Sequence, residues 1–345
     1  MKPALTAEIA GPPGFPPGGL VECKRLPAPL RSAGYRVLTS VRRYVSILIL
    51  ALLLALPAAA QARRAPIQIG IGDQKTTMFK DPRFKQLGIR YARFSTPWDV
   101  MQVKGELKAL TEWLTAARAA KVTPLITFDH SLIKRKHRVL PTVKQFTYNF
   151  TRLKRKFPFL HDFATWNEAN YCGEITCHHP QRVAQYYNVI RKHCRRGCHV
   201  LAAELLDFPN MVSWARQFRR AAHFEPKIWG LHNYRDVNRL TTTNTRALLR
   251  ATKGQIWMTE TGGIVSRHNK SKVRFKQSAA HAAKATRWLF NRIITLSGRI
   301  TRVYFYEWNA RTYHDTWDSA LIDPKGRIRP AFKVVQQYIR SHHRR

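Results

Sequence analysis

Two glutamates are the residues of this chain best suited to do chemistry together. Glu168 lies in the segment WNEAN (166–170) and Glu260 in the segment WMTETGG (257–263), each at the downstream end of an apolar run. If both runs are strands that open into one pocket, the two carboxyl groups can share one displacement reaction. One would attack as an ionised nucleophile, and the other would donate a proton to the leaving oxygen.

The elements that would position this pair can be predicted from hydrophobic patterning. Short apolar, β-branched or aromatic runs alternate with longer segments of helical periodicity, such as Leu107–Ala120 and Val143–Phe157, and a last helix is expected over Ala331–His342. Eight strands are predicted, over Ile67–Ile71, Tyr91–Phe94, Thr123–Phe128, Phe163–Trp166, Val200–Ala203, Ile228–His232, Gln255–Thr259 and Val303–Trp308. In this count the two glutamates end the fourth and the seventh strand.

This alternation is typical of an α/β protein with parallel strands and crossover helices. We therefore predict a single (β/α)8 TIM barrel over residues 63–345, with no surplus for a second domain. The alternative is an open doubly wound sheet, which would place a glycine-rich turn after the first strand. The segment Gly70–Asp73 only half matches that dinucleotide fingerprint.

Polar residues end nearly all the predicted strands. In a TIM barrel the chemistry lies at the C-terminal ends of the strands. Any one of these residues could be structural, as an interior ion pair, a buried histidine or a packed tryptophan, but together they favour a functional site. They are Asp73, Arg93, Asp129, His130, Asn167, Glu168, Glu204, His232, Asn233, Tyr234, Glu260, Glu307, Trp308 and Asn309.

On these motifs the chain resembles, over about residues 66 to 340, the large clan of retaining (β/α)8 glycoside hydrolases. That clan includes cellulases, β-mannanases, β-xylosidases and α-L-iduronidases. The resemblance is most specific at residues 166–168 and 257–260. It implies a glycosidase acting by double displacement on a polysaccharide or oligosaccharide, with Glu168 as acid/base and Glu260 as nucleophile and without a cofactor.

The resemblance also implies substrate-binding residues. Four further positions match substrate-binding positions of the clan. They are Arg93, Asn167, which would face the sugar 2-hydroxyl, the pair His232 and Tyr234 after the sixth strand, and Trp308, which would lie under the sugar ring. His130, at the end of the third strand, is expected to bind substrate as well. Two positions depart from the clan. Ala169 stands where many members have proline, and the segment LHNY (231–234) leaves open which of its histidine and tyrosine contacts Glu260.

Residues 1–62 are predicted to be an extension that carries a secretory signal or an anchor. Arginines at 42 and 43 precede the apolar stretch 45–56, and small residues follow, so cleavage is expected near Ala60 or Ala62. An uncleaved membrane anchor at 45–56 is the alternative. A secreted or extracellular location agrees with an even number of cysteines after residue 60.

The simplest pairing of these cysteines is local, Cys172 with Cys177 and Cys194 with Cys198. A zinc site is the alternative use of the region, with ligands from the nearby histidines. Those histidines are His178, His179, His193 and His199.

The net charge of +40 lies almost entirely after residue 60 and would attract polyanions such as anionic cell-wall polymers. Cations follow the third, sixth and seventh predicted strands and would suit an anionic glycan, but the predicted helices are basic as well, so a surface bias without a ligand is equally compatible. We expect a monomer that binds carbohydrate and no nucleic acid, since no nucleic-acid recognition motif is present. The alternatives are a non-catalytic glycan-binding barrel and a metal-dependent hydrolase using Asp73, Asp129 and His130.

Overall fold

The computed structural model describes residues 65–194, 197–268 and 274–342. The predicted signal or anchor therefore lies outside the described residues. Within them, no helix has both the length and the apolar character that crossing a bilayer requires.

Nine parallel strands form one sheet in the order β5-β4-β3-β2-β1-β9-β8-β7-β6. Their bounds are β1 Gln68–Gly72, β2 Tyr91–Pro97, β3 Thr123–Asp129, β4 Asp162–Ala164, β5 His199–Leu201, β6 Glu204–Leu206, β7 Ile228–His232, β8 Gln255–Thr261 and β9 Ile300–Tyr306.

The sheet closes at the fifth barrel position, where β5 and β6 are consecutive pieces of one predicted strand. The backbone N–H of Ala202 donates to the carbonyl of Ile228 at 2.9 Å, and that of Glu204 donates to the carbonyl of Trp166 at 3.0 Å. The chain between β5 and β6 thus bonds to both neighbouring strands. The prediction of a single eight-position (β/α)8 barrel is confirmed, and the split of its fifth strand is the one difference in strand number.

Helices surround the strands, as the periodicity predicts. Their bounds are α1 Pro82–Gln86, α2 Lys104–Ala119, α3 Val143–Lys156, α4 Pro180–His193, α5 Met211–Ala221, α6 Tyr234–Arg239, α7 Thr243–Ala251, α8 Ala279–Trp288 and α9 Pro330–His342. Shorter turns of 3-10 helix lie at Thr76–Lys80, Val100–Gln102, Lys134–Lys136 and Ile294–Leu296, and a π-helical turn extends α8 over Leu289–Ile293. The three helices predicted with bounds all form, within three residues of the expected limits.

The core has two parts. The larger part fills the space between the strands and the helices, where bulky side chains such as Trp113, Phe146 and Phe218 are fully buried. The smaller part lies inside the barrel and includes Trp257 and Tyr304. There the guanidinium of Arg302 lies 3.6 Å from the ring centroid of Trp257 and donates to a carboxylate oxygen of Asp162 at 2.7 Å. This plug fills the lower interior, so the open end of the barrel is the one formed by the C-terminal strand ends.

Candidate active site

The barrel brings the two glutamates to one place at the C-terminal strand ends. Glu168 follows β4 by four residues, and Glu260 is the penultimate residue of β8, directly paired with His232 of β7. A carboxylate oxygen of each glutamate and a ring nitrogen of His232 all lie within 4.8 Å of one another. The side chains of Glu168 and Glu260 remain 24% and 14% exposed, so both carboxyl groups can meet a ligand.

The backbone at Glu168 has an uncommon conformation, with φ +42°. A non-glycine residue in this left-handed region costs on the order of 1–3 kcal/mol and persists only where its surroundings fix it. Here the residues on either side are fixed. The N–H of Asn167 donates to the carbonyl of Phe128 at 2.8 Å, and the N–H of Ala169 donates to the carbonyl of Glu204 at 2.9 Å. The barrel strands on both sides therefore hold Glu168 in position.

Arg93 of β2 is the central cation of the site. Its buried guanidinium donates from Nη1 to Oε1 of Glu260 at 2.7 Å, from Nη2 to Oδ1 of Asn167 at 2.8 Å, and from Nε to Oε1 of Glu204 at 2.8 Å. One side chain thus orients a candidate nucleophile, a candidate sugar-binding amide and a second carboxylate.

Glu204, at the start of β6, is fully buried behind these groups. Burial alone would raise the pKa of Glu204, but the charge and hydrogen bonds of Arg93 and the charge of His232, whose Nε2 lies 3.6 Å away, outweigh it and lower that pKa to about 2. The space it occupies exists because Gly230 on β7 has no side chain, since a Cβ there would lie 2.7 Å from Cγ of Glu204. Glu204 is therefore a permanent anion that compensates Arg93.

His232 and Tyr234 each form a hydrogen bond with a different one of the two glutamates. The hydroxyl of Tyr234 donates to Oε2 of Glu260 at 3.2 Å. Nδ1 of His232 makes its hydrogen bond with Oε1 of Glu168 at 3.1 Å and lies 3.8 Å from Oε2 of Glu260. The alternative left open by the sequence is thereby answered: tyrosine is the hydrogen-bond partner of Glu260.

The ionisation states of His232, Glu168 and Tyr234 are set by burial and by the neighbouring charges. Burial would lower the pKa of His232, but the charge of Glu260, the hydrogen bond with Glu168 and the charge of Glu204 raise it to about 10. Burial raises the pKa of Glu168, and this effect outweighs the opposing hydrogen bond from His232. Burial likewise raises the pKa of Tyr234, which keeps its hydroxyl a hydrogen-bond donor.

Solved structures of known proteins resemble this barrel. A family 39 glycoside hydrolase from Bacteroides cellulosilyticus WH2 has 13% identity and a TM-score of 0.53, over 80% of this chain and 64% of that one. An endo-1,4-beta-xylanase from Caldicellulosiruptor owensensis has 10% identity and a TM-score of 0.57, over 81% and 99% of the two chains. A fungal beta-1,4-galactanase has 13% identity and a TM-score of 0.56, over 79% and 100%. This chain spans less than two thirds of the length of the first of these proteins.

The chain shares the barrel fold of these three proteins. No protein-family model matches the sequence, and no curated protein matches it. The resemblance proposed from the sequence is thus confirmed at the level of the fold.

His130 lies behind Asn167 and is not among the residues that line the pocket. Nδ1 of His130 lies 2.8 Å from Oδ1 of Asp129 and 3.1 Å from Oε1 of Glu174, and Nδ2 of Asn167 donates to Oδ2 of Asp129 at 3.1 Å. Hydrogen bonds with Asp129 and Glu174 raise the pKa of His130 to about 10, so it is an imidazolium between two carboxylates. In this arrangement His130 is connected to Asn167 through Asp129.

Trp308 does not lie where a sugar could stack on it. It is 1% exposed, its indole N–H donates to Oδ2 of Asp81 at 3.0 Å, and its ring packs edge-on against Phe84 and Phe332. The predicted eighth strand extended to Trp308, whereas β9 ends two residues earlier, at Tyr306. Tyr306 is the aromatic residue of this strand that lines the pocket.

The pocket above the glutamates has a volume of about 340 Å³ and is rich in aromatic side chains. The motifs did not identify most of its wall, because most of the remaining residues lie in loops without periodicity; Leu206 of β6, Arg235 of α6 and Tyr306 of β9 are the exceptions. The lining residues are Asn167, Glu168, Tyr171, Leu206, Phe208, Tyr234, Arg235, Glu260, Arg267, Phe275, Tyr306 and Trp317.

The disulfides form as predicted, Cys172 with Cys177 and Cys194 with Cys198. Their thiolates are therefore not free for the competing zinc site. Of the three residues considered for metal-dependent hydrolysis, Asp129 and His130 lie together with Glu174, with one ligand atom of each within 4.8 Å of the others. Asp73 is not part of this group; it is an ion-pair partner of Lys75, at 3.1 Å, and accepts from the N–H of Trp308.

Proposed function

We propose that the protein is a retaining glycoside hydrolase in which Glu260 is the nucleophile and Glu168 the acid/base. The observation that carries the proposal is the placement of their carboxylate oxygens within 4.8 Å of each other. Retaining enzymes hold the two carboxyl groups about 5 Å apart, whereas inverting enzymes need a gap of about 6.5–9.5 Å to admit a water molecule. A spacing within 4.8 Å supports the retaining arrangement.

In the first step, an ionised Glu260 oxygen attacks the anomeric carbon of the sugar while the bond from that carbon to the leaving oxygen breaks. Glu168 gives its proton to the leaving oxygen, and a covalent glycosyl ester of Glu260 remains. In the second step, Glu168, now a carboxylate, takes a proton from water as the water attacks the same carbon and releases Glu260. The raised pKa of Glu168 suits the first of these roles, because it keeps the carboxyl protonated at higher pH.

The surrounding residues support this division of roles. Arg93 and Tyr234 both donate hydrogen bonds to Glu260 and fix the direction of its oxygens, while Glu168 is bonded to the histidine. The aromatic pocket wall suits the apolar faces of sugar rings, as in other small-molecule sites with a few convergent polar groups.

The experiment is a screen of aryl glycosides and of neutral and acidic polysaccharides with the wild type, Glu260→Ala and Glu168→Gln. We expect Glu260→Ala to lower kcat by about 10⁴-fold or more, and Glu168→Gln to lower it by about 10²- to 10⁴-fold. Glu112→Gln, which removes an exposed carboxylate from α2, is the matched control and should keep wild-type activity. Unchanged activity in Glu260→Ala would refute the proposal, and no cleavage of any glycoside by the wild type would favour a glycan-binding barrel.

We also propose that the enzyme is exported and acts as a monomer. Two disulfides are typical of an oxidising compartment. Mass spectrometry of the secreted protein should find an N-terminus directly after Ala60 or Ala62. Recovery of the intact chain in the membrane fraction would instead support the anchor.

A further inference from the structure

Two arginines line the same pocket as the catalytic glutamates. Arg235 follows Tyr234 directly at the start of α6, and Arg267 lies in the loop after β8. Among the described lining residues, the only carboxylates are Glu168 and Glu260 themselves, and both already have hydrogen-bond partners. The remainder of the wall therefore carries positive charge.

Arg235 has no acidic partner among the described residues. Its Nε is buried without a hydrogen-bond partner, and its guanidinium lies 5.7 Å from the ring centroid of Phe208. The neighbouring Asp207 accepts from the backbone N–H of Arg235, at 3.1 Å, and not from its side chain. A buried donor without a partner is costly, so a ligand that supplied an acceptor would be favoured there.

The fully buried arginines elsewhere in the described barrel behave differently, because each pairs with a carboxylate. Arg93 pairs with Glu204, Arg302 pairs with Asp162 at 2.7 Å, and Arg329 pairs with Asp318. Half-buried Arg191, which is not among the residues that line the pocket, likewise has a buried Nε without a hydrogen-bond partner. Arg235, also half-buried, is distinguished by its place in the pocket wall with Glu168 and Glu260.

Arg267 places a second cation in the wall of the pocket. Its guanidinium lies 5.4 Å from the ring centroid of Trp317, and that ring lies 4.7 Å from the ring of Tyr234, the hydrogen-bond donor to Glu260.

We infer that this side of the pocket binds an oxyanion on the substrate sugar, with Arg235 as the main contact and Arg267 as a second cation. The guanidinium fork matches a carboxylate, as in a uronic acid, and equally a sulfate ester. This inference rests on the proposed function and names its substrate class, an anionic glycan.

The test compares aryl uronides with their methyl esters, which keep the shape and remove the charge, and with sulfated glycosides of the same sugars. The readout is the ratio of kcat/KM for the anionic substrate to that for its neutral counterpart. In the wild type we expect this ratio to exceed one, and in Arg235→Gln to fall by about 10- to 100-fold. Arg235→Lys should restore part of it, and the control Arg246→Gln, an exposed arginine of α7, should leave it unchanged.

A wild-type preference for the neutral partner, or an unchanged ratio in Arg235→Gln, would overturn the inference while leaving the proposed function in place. The comparison of sulfated glycosides with aryl uronides identifies whether a sulfate or a carboxylate is recognised. If no glycoside of any kind is cleaved, the proposed function fails. The inference then survives only if calorimetry finds tighter binding of anionic oligosaccharides that depends on Arg235.

Discussion

Glu204 and Arg93 form the buried ion pair on which the candidate site is built. Arg93 reaches Glu204, Glu260 and Asn167 at once, and Glu204 keeps its charge because Arg93 and His232 surround it. Removing one member of such a pair leaves an uncompensated charge in the barrel, which costs more than losing a surface ion pair.

The pair should leave a signature in the pH dependence of stability. The pKa of Glu204 is lowered to about 2 in the folded protein, so its contribution is fully present above its unfolded pKa and is lost as pH falls toward 2. We expect Glu204→Gln to be less stable than the wild type at pH 6 by on the order of 3 kcal/mol. That gap should narrow as pH falls from about 4.5 to 2, as measured by urea unfolding. A gap that stayed constant over this range would contradict the assignment, and Glu112→Gln controls for losing a carboxylate.

Glu168 should determine the alkaline limb of the activity profile. Since burial raises the pKa of Glu168, kcat/KM of the wild type should fall as pH rises through that pKa. On an aryl glycoside with a good leaving group, which needs little acid assistance in the first step, Glu168→Gln should retain most of its kcat/KM and lose this limb, while its kcat stays low because the second step lacks its base. Persistence of the limb in Glu168→Gln would assign it to another group.

Among the elements, the loop after β4 connects a disulfide to the site. The bond between Cys172 and Cys177 closes a short loop that holds Glu174, which contacts His130, and Tyr171 of the pocket wall precedes it. The bond between Cys194 and Cys198 closes a similar loop, between α4 and β5, at the opposite end of the barrel.

These two disulfides form a matched pair for testing the loop. Replacing both cysteines by alanine in either pair should cost about 2 kcal/mol of unfolding free energy, since the closed loops are nearly equal in length. Only Cys172→Ala/Cys177→Ala should also lower kcat/KM, by about tenfold, because Asn167 and the pocket wall lose support. Equal activity in the two double variants would show that the loop does not position the site.

The elements could be predicted from sequence more fully than the contacts of their side chains. Apolar runs and helical periodicity depend on local composition, so the eight barrel positions and both glutamates were predicted. The split of the fifth strand depends on hydrogen bonds from Ala202 and Glu204 to different neighbours, and local composition does not encode such bonds. Local composition likewise does not show where the last strand ends. Trp308 was therefore expected in the pocket, whereas β9 ends two residues earlier, at Tyr306.

Considered as a whole, the molecule combines a small pocket lined by Arg235 and Arg267 with a net charge of +40. The contributions of the pocket and of the net charge to ligand binding should be separable by salt. The Debye length falls from about 10 Å at 0.1 M to about 3 Å at 1 M salt, and exposed charges are screened first. Contacts within a partly buried pocket are screened less.

We therefore expect the inactive Glu260→Ala variant to bind a long acidic polysaccharide much more weakly in 1 M salt than in 0.1 M, by more than about tenfold, because exposed charges dominate that binding. Binding of a short anionic oligosaccharide to the same variant should fall less. Titration calorimetry at both salt concentrations measures this, and equal salt dependence for the two ligands would argue against a distinct anion site in the pocket.

The spacing of Glu168 and Glu260 leads to the prediction that can be tested most directly. That prediction concerns the stereochemical course of the reaction. Proton NMR of the first product released from a cleaved glycoside reports its anomeric configuration before mutarotation. With carboxylate oxygens within 4.8 Å of each other, we predict a first product with the same configuration as the substrate. A first product of the opposite configuration would contradict the assignment of Glu260 as nucleophile.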